Sequence, residues 1–129
     1  MFARLRWRIA QYLEVRWWRY YLRKSSPAEY LNNKTAYWER LLNEIGYYPT
    51  PGANVLDAGC GPAGVFIYLH HLQSVTAVDP LLSQYASYLP VFNIREYPSV
   101  NFVITPLETA NLPLAPFDTI YCFNAINHI

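Results

Sequence analysis

Charge is scarce in this sequence: Asp, Glu, Lys and Arg make up 15% of its 129 residues, against 53% apolar and 17% aromatic residues. Such a composition excludes disorder, collagen-like and low-complexity architectures and fits one compact globular domain. Cysteine is almost missing. Cys60 and Cys122 are the only two, too few for a disulfide scaffold, and the chain reads as a protein of a reducing cytoplasm. No secretory signal is legible, since Arg and Glu14 interrupt every apolar stretch before Lys24. Serine is absent before Ser25, which argues against a mitochondrial transit peptide. No Cys/His spacing suggests a metal site. One run, Ala58 to Val78, lacks every charged residue and is long enough to cross a bilayer. Its glycines, Pro62, His70, His71 and Gln73 read instead as a turn, a buried helix and a buried strand.

The charge that is present is segregated. Residues 1 to 24 hold seven Lys/Arg against the single acid Glu14, whereas residues 25 to 129 hold three against eight Asp/Glu. A basic arm on a mildly acidic body attracts phosphates, whether of nucleic acid or of lipid headgroups. The arm has no helix breaker. Phe2, Ile9, Leu13, Trp17 and Tyr20 recur at helical spacing on one side, with Arg4, Arg8, Gln11, Arg19 and Arg23 opposite. Three readings of this arm stay open. Its aromatics pack on the body with arginine left in water, or the helix lies at a membrane surface, or it contacts RNA through stacking and phosphate pairing.

Ser26-Pro27-Ala28-Glu29 is a helix start, with a hydroxyl to accept a first-turn amide and proline where no N–H is needed. Leu31, Trp38, Leu42 and Ile45 hold helical spacing until Gly46 ends it. We therefore expect a helical region over 1–46 and an α/β unit over 47–129. In the latter, strands are expected at 55–57, 74–78, 100–104 and 117–123, with helices over 62–72 and 81–89. Strands separated by helices imply parallel pairing, hence an open Rossmann-like sheet with helices on both faces.

Asp57-Ala58-Gly59-Cys60-Gly61-Pro62-Ala63-Gly64 follows a strand and opens a helix, the context that gives a glycine pattern meaning. Gly59 and Gly61 allow a tight turn that offers backbone amides to a ligand. Gly59, Gly61 and Gly64 also satisfy the dinucleotide pattern GxGxxG, so an NAD-dependent oxidoreductase has to be weighed. Asp57 argues against it, because a carboxylate beside the turn repels a diphosphate and welcomes a cation.

VLDAGCGPAG (55–64), VTAVDP (75–80), LETANLP (107–113) and FDTIYCFNAINH (117–128) resemble, in order and spacing, the motifs of class I S-adenosylmethionine-dependent methyltransferases. The resemblance spans residues 53–129. It implies S-adenosylmethionine as cofactor and small-molecule methyl donor. It implies that Asp57 lies near the methionine end, that the Gly59 and Gly61 backbone packs against the ligand, and that Asp79 accepts from the ribose hydroxyls. Glu108 aligns with the acidic position at the adenine amino group. Asn124 corresponds to a residue facing the methyl-transfer region, and His128, four residues on, is a candidate general base. Two departures stand out: Ala63 falls where a third glycine is usual, and Pro80 follows Asp79. Asp57 and Asp79 also have plainer roles open to them, as caps of nearby backbone amides. The same holds for other residues: Glu108 can be simply solvated, His70 and His71 packed, Cys60 a small turn residue and Cys122 part of the core. Members of the family continue with three more strands, so the resemblance implies an N-terminal portion of such an enzyme and leaves catalysis by these residues alone unsupported. The alternative is a non-catalytic remnant whose arm binds membrane or RNA. Neither the acceptor nor the oligomeric state is readable.

Overall fold

The computed structural model describes residues 2–109 and 116–123, without the side chain of Phe2. Helix α1 (Phe2–Tyr21) runs into a 3-10 turn at Leu22–Lys24 and is followed by α2 (Pro27–Glu44). The Ser26 hydroxyl accepts from the Glu29 amide at 3.2 Å, with Pro27 in the first turn, as the sequence predicts. At the other end Gly46 takes φ 73°, its amide donates to Asn43, and the Tyr47 amide reaches back to Leu42 at 2.9 Å. These paired bonds close the helix at the one position where glycine is needed.

Four strands then alternate with helices: β1 (Asn54–Ala58), α3 (Phe66–Leu69), β2 (Ser74–Val78), α4 (Leu82–Tyr88), β3 (Asn101–Val103) and β4 (Thr119–Tyr121). The sheet order is β3-β2-β1-β4 and every pairing is parallel. This is the open, partial Rossmann-like sheet that the alternation implies. The helix expected over 62–72 shrinks to one turn, because the chain from Gly59 to Gly64 stays in turn and irregular conformation and leaves the helix at His70.

Val55, Val75 and Ala77 share one buried cluster with residues of all four α-helices, among them Val15, Leu42, Phe66 and Tyr85. Leu56, Ala58 and Val78 face the other way, where Val103, Leu107 and Phe117 cover them. Among the described residues, then, the α-helices contribute to the core on one face only. The expectation of helices on both faces is thus corrected: among the described residues α1–α4 cover one side, and the other is covered by Val103, Leu107 and Phe117 from outside the α-helices.

The arm corrects a second expectation. Val15 and Leu22 are buried and Gln11, Glu14 and Trp18 half-buried, so this stripe docks on the body. The stripe read from the sequence points outward: Ile9 is 49%, Leu13 54%, Trp17 54% and Tyr20 66% exposed. Periodicity identifies an apolar side of a helix, but only packing decides which side is covered.

Candidate cofactor site at the glycine turn

Parallel register sets the site. Asp57 pairs with Ala77 and Ala58 with Val78, so Asp79, the first residue beyond β2, comes to lie beside the turn that leaves β1. Gly59 and Gly61 both adopt positive φ, 66° and 62°. The Cys60 amide donates to the Val78 carbonyl at 3.0 Å and the Gly61 amide to Asp79 Oδ2 at 3.0 Å. Asp79 Oδ1 accepts from the Leu81 amide at 2.9 Å, while the Asp79 amide donates to Val103 at 3.2 Å. One carboxylate thus ties the first turn to the second. A Cβ on Gly61 would meet nothing within 4 Å, so its exposed side is open space against which a ligand can lie.

Asp57 lies beneath this turn, 3% exposed, with Oδ2 accepting from the Phe66 amide at 3.0 Å and so capping α3. Gly64 packs onto it: a Cβ there would collide with the Cys60 carbonyl and come within 2.6 Å of Asp57 Oδ2. Burial pushes the Asp57 carboxyl up to about 7, against the pull of the Phe66 amide and helped by the nearby Asp79 charge. The negative charge that sequence reasoning assigns to Asp57 is therefore only partly present at neutral pH. The plainer capping roles of both aspartates are real, and they leave room for a ligand, because a carboxylate oxygen that accepts one bond keeps a second lone pair.

Several neighbours escaped the sequence. Trp38, legible only as a core position of α2, donates its indole N–H to the Ala63 carbonyl at 3.0 Å and so anchors the glycine turn. Its ring also meets Phe123 at 5.1 Å and carries the Lys34 ammonium at 4.8 Å. Tyr85 of α4 is fully buried, and Glu14 of α1 is the group that interacts with its hydroxyl. Burial, then the charges of Asp79 and of Glu14 from α1, drive that phenol far above its ordinary range. No local pattern signals such a meeting of α1, α4 and the turn. Cys60 is buried as a turn residue, its thiol pushed well up by burial.

Glu108 is exposed in the 3-10 turn after β3, at Leu107–Thr109. Asn124 and His128 lie outside the described residues. Cys122, expected in the core, is exposed just beyond the last residue of β4. His70 is half-buried and packs on His71 at 3.7 Å and edge-on to Tyr97 at 5.0 Å, whereas His71 itself is exposed. Among the described residues no group of His, Cys, Asp and Glu could hold a metal.

The turn, its capping aspartate and the acid after β2 form one unit at the carboxyl ends of parallel strands, where open α/β sheets place ligands. A family described as "Methyltransferase domain" matches residues 55–129, more than half of the chain. The chain belongs to that family. The matched stretch starts within β1 and contains both aspartates and the glycine turn. A comparison with curated proteins finds no match. Among solved structures, the chain is similar to a TehB-like SAM-dependent methyltransferase from Corynebacterium glutamicum, with 25% identity and a TM-score of 0.46 over 79% of this chain. It spans 58% of the length of that relative.

Proposed function

We propose that this methyltransferase domain binds S-adenosylmethionine at the glycine turn and takes part in methyl transfer to an acceptor, with residues 1–46 as a helical region and 47–129 as the cofactor-binding unit. The observation that carries this reading is the open side of Gly61 above the Asp79 carboxylate. A nucleoside can approach the backbone there, and the Asp79 carboxylate offers two oxygens to the vicinal hydroxyls of a ribose. Gly59 and Gly61 supply the surface, and Asp57 meets the cationic methionine end, where a positive charge stabilises its ionised form. Glu108 is the proposed partner of the adenine amino group, and Asn124 and His128 are proposed at the acceptor side.

A bound sulfonium supplies the methyl group and departs neutral, so the protein's task is alignment and exclusion of water. Asp57 and Asp79 hold the two ends, and buried Val78, Pro62 and Cys60 keep the floor of the turn dry. The dinucleotide reading gains nothing from the family match, and neither does the remnant reading.

Calorimetric titration with S-adenosylmethionine and S-adenosylhomocysteine tests the proposal. Saturable binding is expected, with Asp79→Ala weakening it by tenfold or more, since about 1.5–3 kcal/mol attends hydrogen bonds to a charged group. Tight uptake of NADH with no heat from either sulfur nucleoside would sink it.

A further inference from the structure

We propose that the outward face of α1 docks on an anionic lipid bilayer, with the helix lying in the plane of the surface. Three observations point there. First, the face combines exposed Ile9, Leu13 and Trp17 with Arg6 and Arg16, an apolar stripe flanked by cations along a helix of 20 residues. Helices of this kind settle at the boundary of headgroups and acyl chains, rings at the interface and arginines on phosphates. Second, the one acid of α1 is withdrawn. Glu14 is half-buried on the body side and acts on Tyr85, while Arg4, Arg6, Arg8, Arg16 and Arg19 are all exposed. The helix thereby presents positive charge without a negative counterpart, complementary to an anionic surface. Third, every residue from 3 to 10 is exposed and none is buried on the body, so tertiary packing gives the first half of α1 little support. A stretch that short is marginal in water by itself and gains order from an external surface.

The alternatives fit less well. RNA capture uses aromatic faces, yet one face of Trp17 already stacks on Tyr21 at 5.1 Å, and Leu5, Ile9 and Leu13 offer aliphatic surface with no π-face. No described helix is long and apolar enough to cross a membrane, which is compatible with a helix that lies on it.

Flotation of the intact chain, without any nucleoside, with phosphatidylcholine vesicles containing or lacking phosphatidylglycerol tests this inference separately from the cofactor site. Binding is expected only with phosphatidylglycerol and should fade when salt shortens the electrostatic range. The charge reversal Arg6→Glu with Arg16→Glu should lower the partition coefficient at least about twentyfold, at roughly fivefold for each basic group lost at the surface. Leu13→Ser with Trp17→Ser should lower it about tenfold or more through lost apolar burial. Both pairs sit on exposed positions away from the glycine turn, so the S-adenosylhomocysteine titration of the variants should match that of the parent chain, and the thermal melt of the arginine pair should match as well, whereas Trp17→Ser also gives up its ring contacts with Tyr21 and Trp18. Quenching of tryptophan emission by brominated lipid, reduced by Trp17→Phe, provides a second readout on a chain that keeps its stripe. Equal flotation with and without phosphatidylglycerol would overturn the inference, as would indifference to both double substitutions. So would the absence of vesicle binding combined with retention of RNA by the arginines, or with self-association that the serine substitutions abolish.

Discussion

A buried carboxyl that titrates near 7 makes the glycine turn sensitive to protons. Asp57 ordinarily ionises at 3.8 and is raised to about 7 by burial. The folded chain therefore holds this proton more tightly than the unfolded chain. The stability it contributes is full below about pH 4 and is lost as pH rises through about 7, a change on the order of a few kcal/mol. Asp57→Asn keeps an oxygen to accept from Phe66 and removes the titration. Denaturant melts of the ligand-free protein should accordingly lose less stability between about pH 5 and pH 8 in the variant than in the parent. Binding has the opposite slope, because a cation prefers the ionised carboxylate. Affinity for S-adenosylmethionine should rise about tenfold from about pH 6 to pH 8, and Asp57→Asn should flatten that profile as read by calorimetry. Two glycines separate folding from binding at the same turn. Gly64→Ala forces a methyl group against the Cys60 carbonyl and Asp57, so the melting temperature should drop by the equivalent of about 1–3 kcal/mol. Gly61→Ala meets no atom and carries only the roughly 1–2 kcal/mol strain of positive φ, yet its methyl group occupies the space left for a ligand. It should fold and bind S-adenosylhomocysteine poorly.

Elements hold that turn in place, and α2 does so through one bond. Trp38→Phe preserves a ring for Lys34 and Phe123 but removes the donor to the Ala63 carbonyl. A loss of about 1 kcal/mol is expected in chemical denaturation, together with weaker cofactor binding that Ser26→Ala, an equally costly change at the far end of α2, should not produce. This contrast separates general destabilisation from loosening of the turn. The same elements explain what the sequence made legible. The start and stop of α2, strand β2 from Ser74 to Val78, and the glycine turn are specified by neighbours within a few residues, and each was readable. The shortened α3 was not, because Asp57, nine residues upstream of Phe66, decides where the helix begins. Nor was the orientation of α1, which depends on a shallow difference between two apolar stripes, Val15/Trp18/Leu22 and Ile9/Leu13/Trp17. Trp38, Tyr85 and Glu14 became visible only when three separate helices met at the turn.

On the scale of the whole molecule, order is distributed unevenly. Strand β1 is flanked by β2 and β4, and Val55 to Ala58 are all buried. At the opposite extreme every residue from 3 to 10 is exposed. Amides in the middle of a packed sheet open only with global unfolding, whereas those of an unsupported helical turn open by fraying at little cost. Hydrogen exchange followed by mass spectrometry should then divide the chain in three. Peptides covering β1 and β2 should exchange last, those around Val15 to Leu22 at intermediate times, and those over residues 3–10 first. A ligand at the turn adds protection only where it binds, so S-adenosylhomocysteine should slow the 57–66 peptides and leave 3–10 unchanged. Anionic vesicles should do the reverse. If the two additions protected the same peptides, the division of labour between a cofactor-binding turn and a surface-seeking helix would be wrong, since each ligand would then be sensed through one cooperative unit.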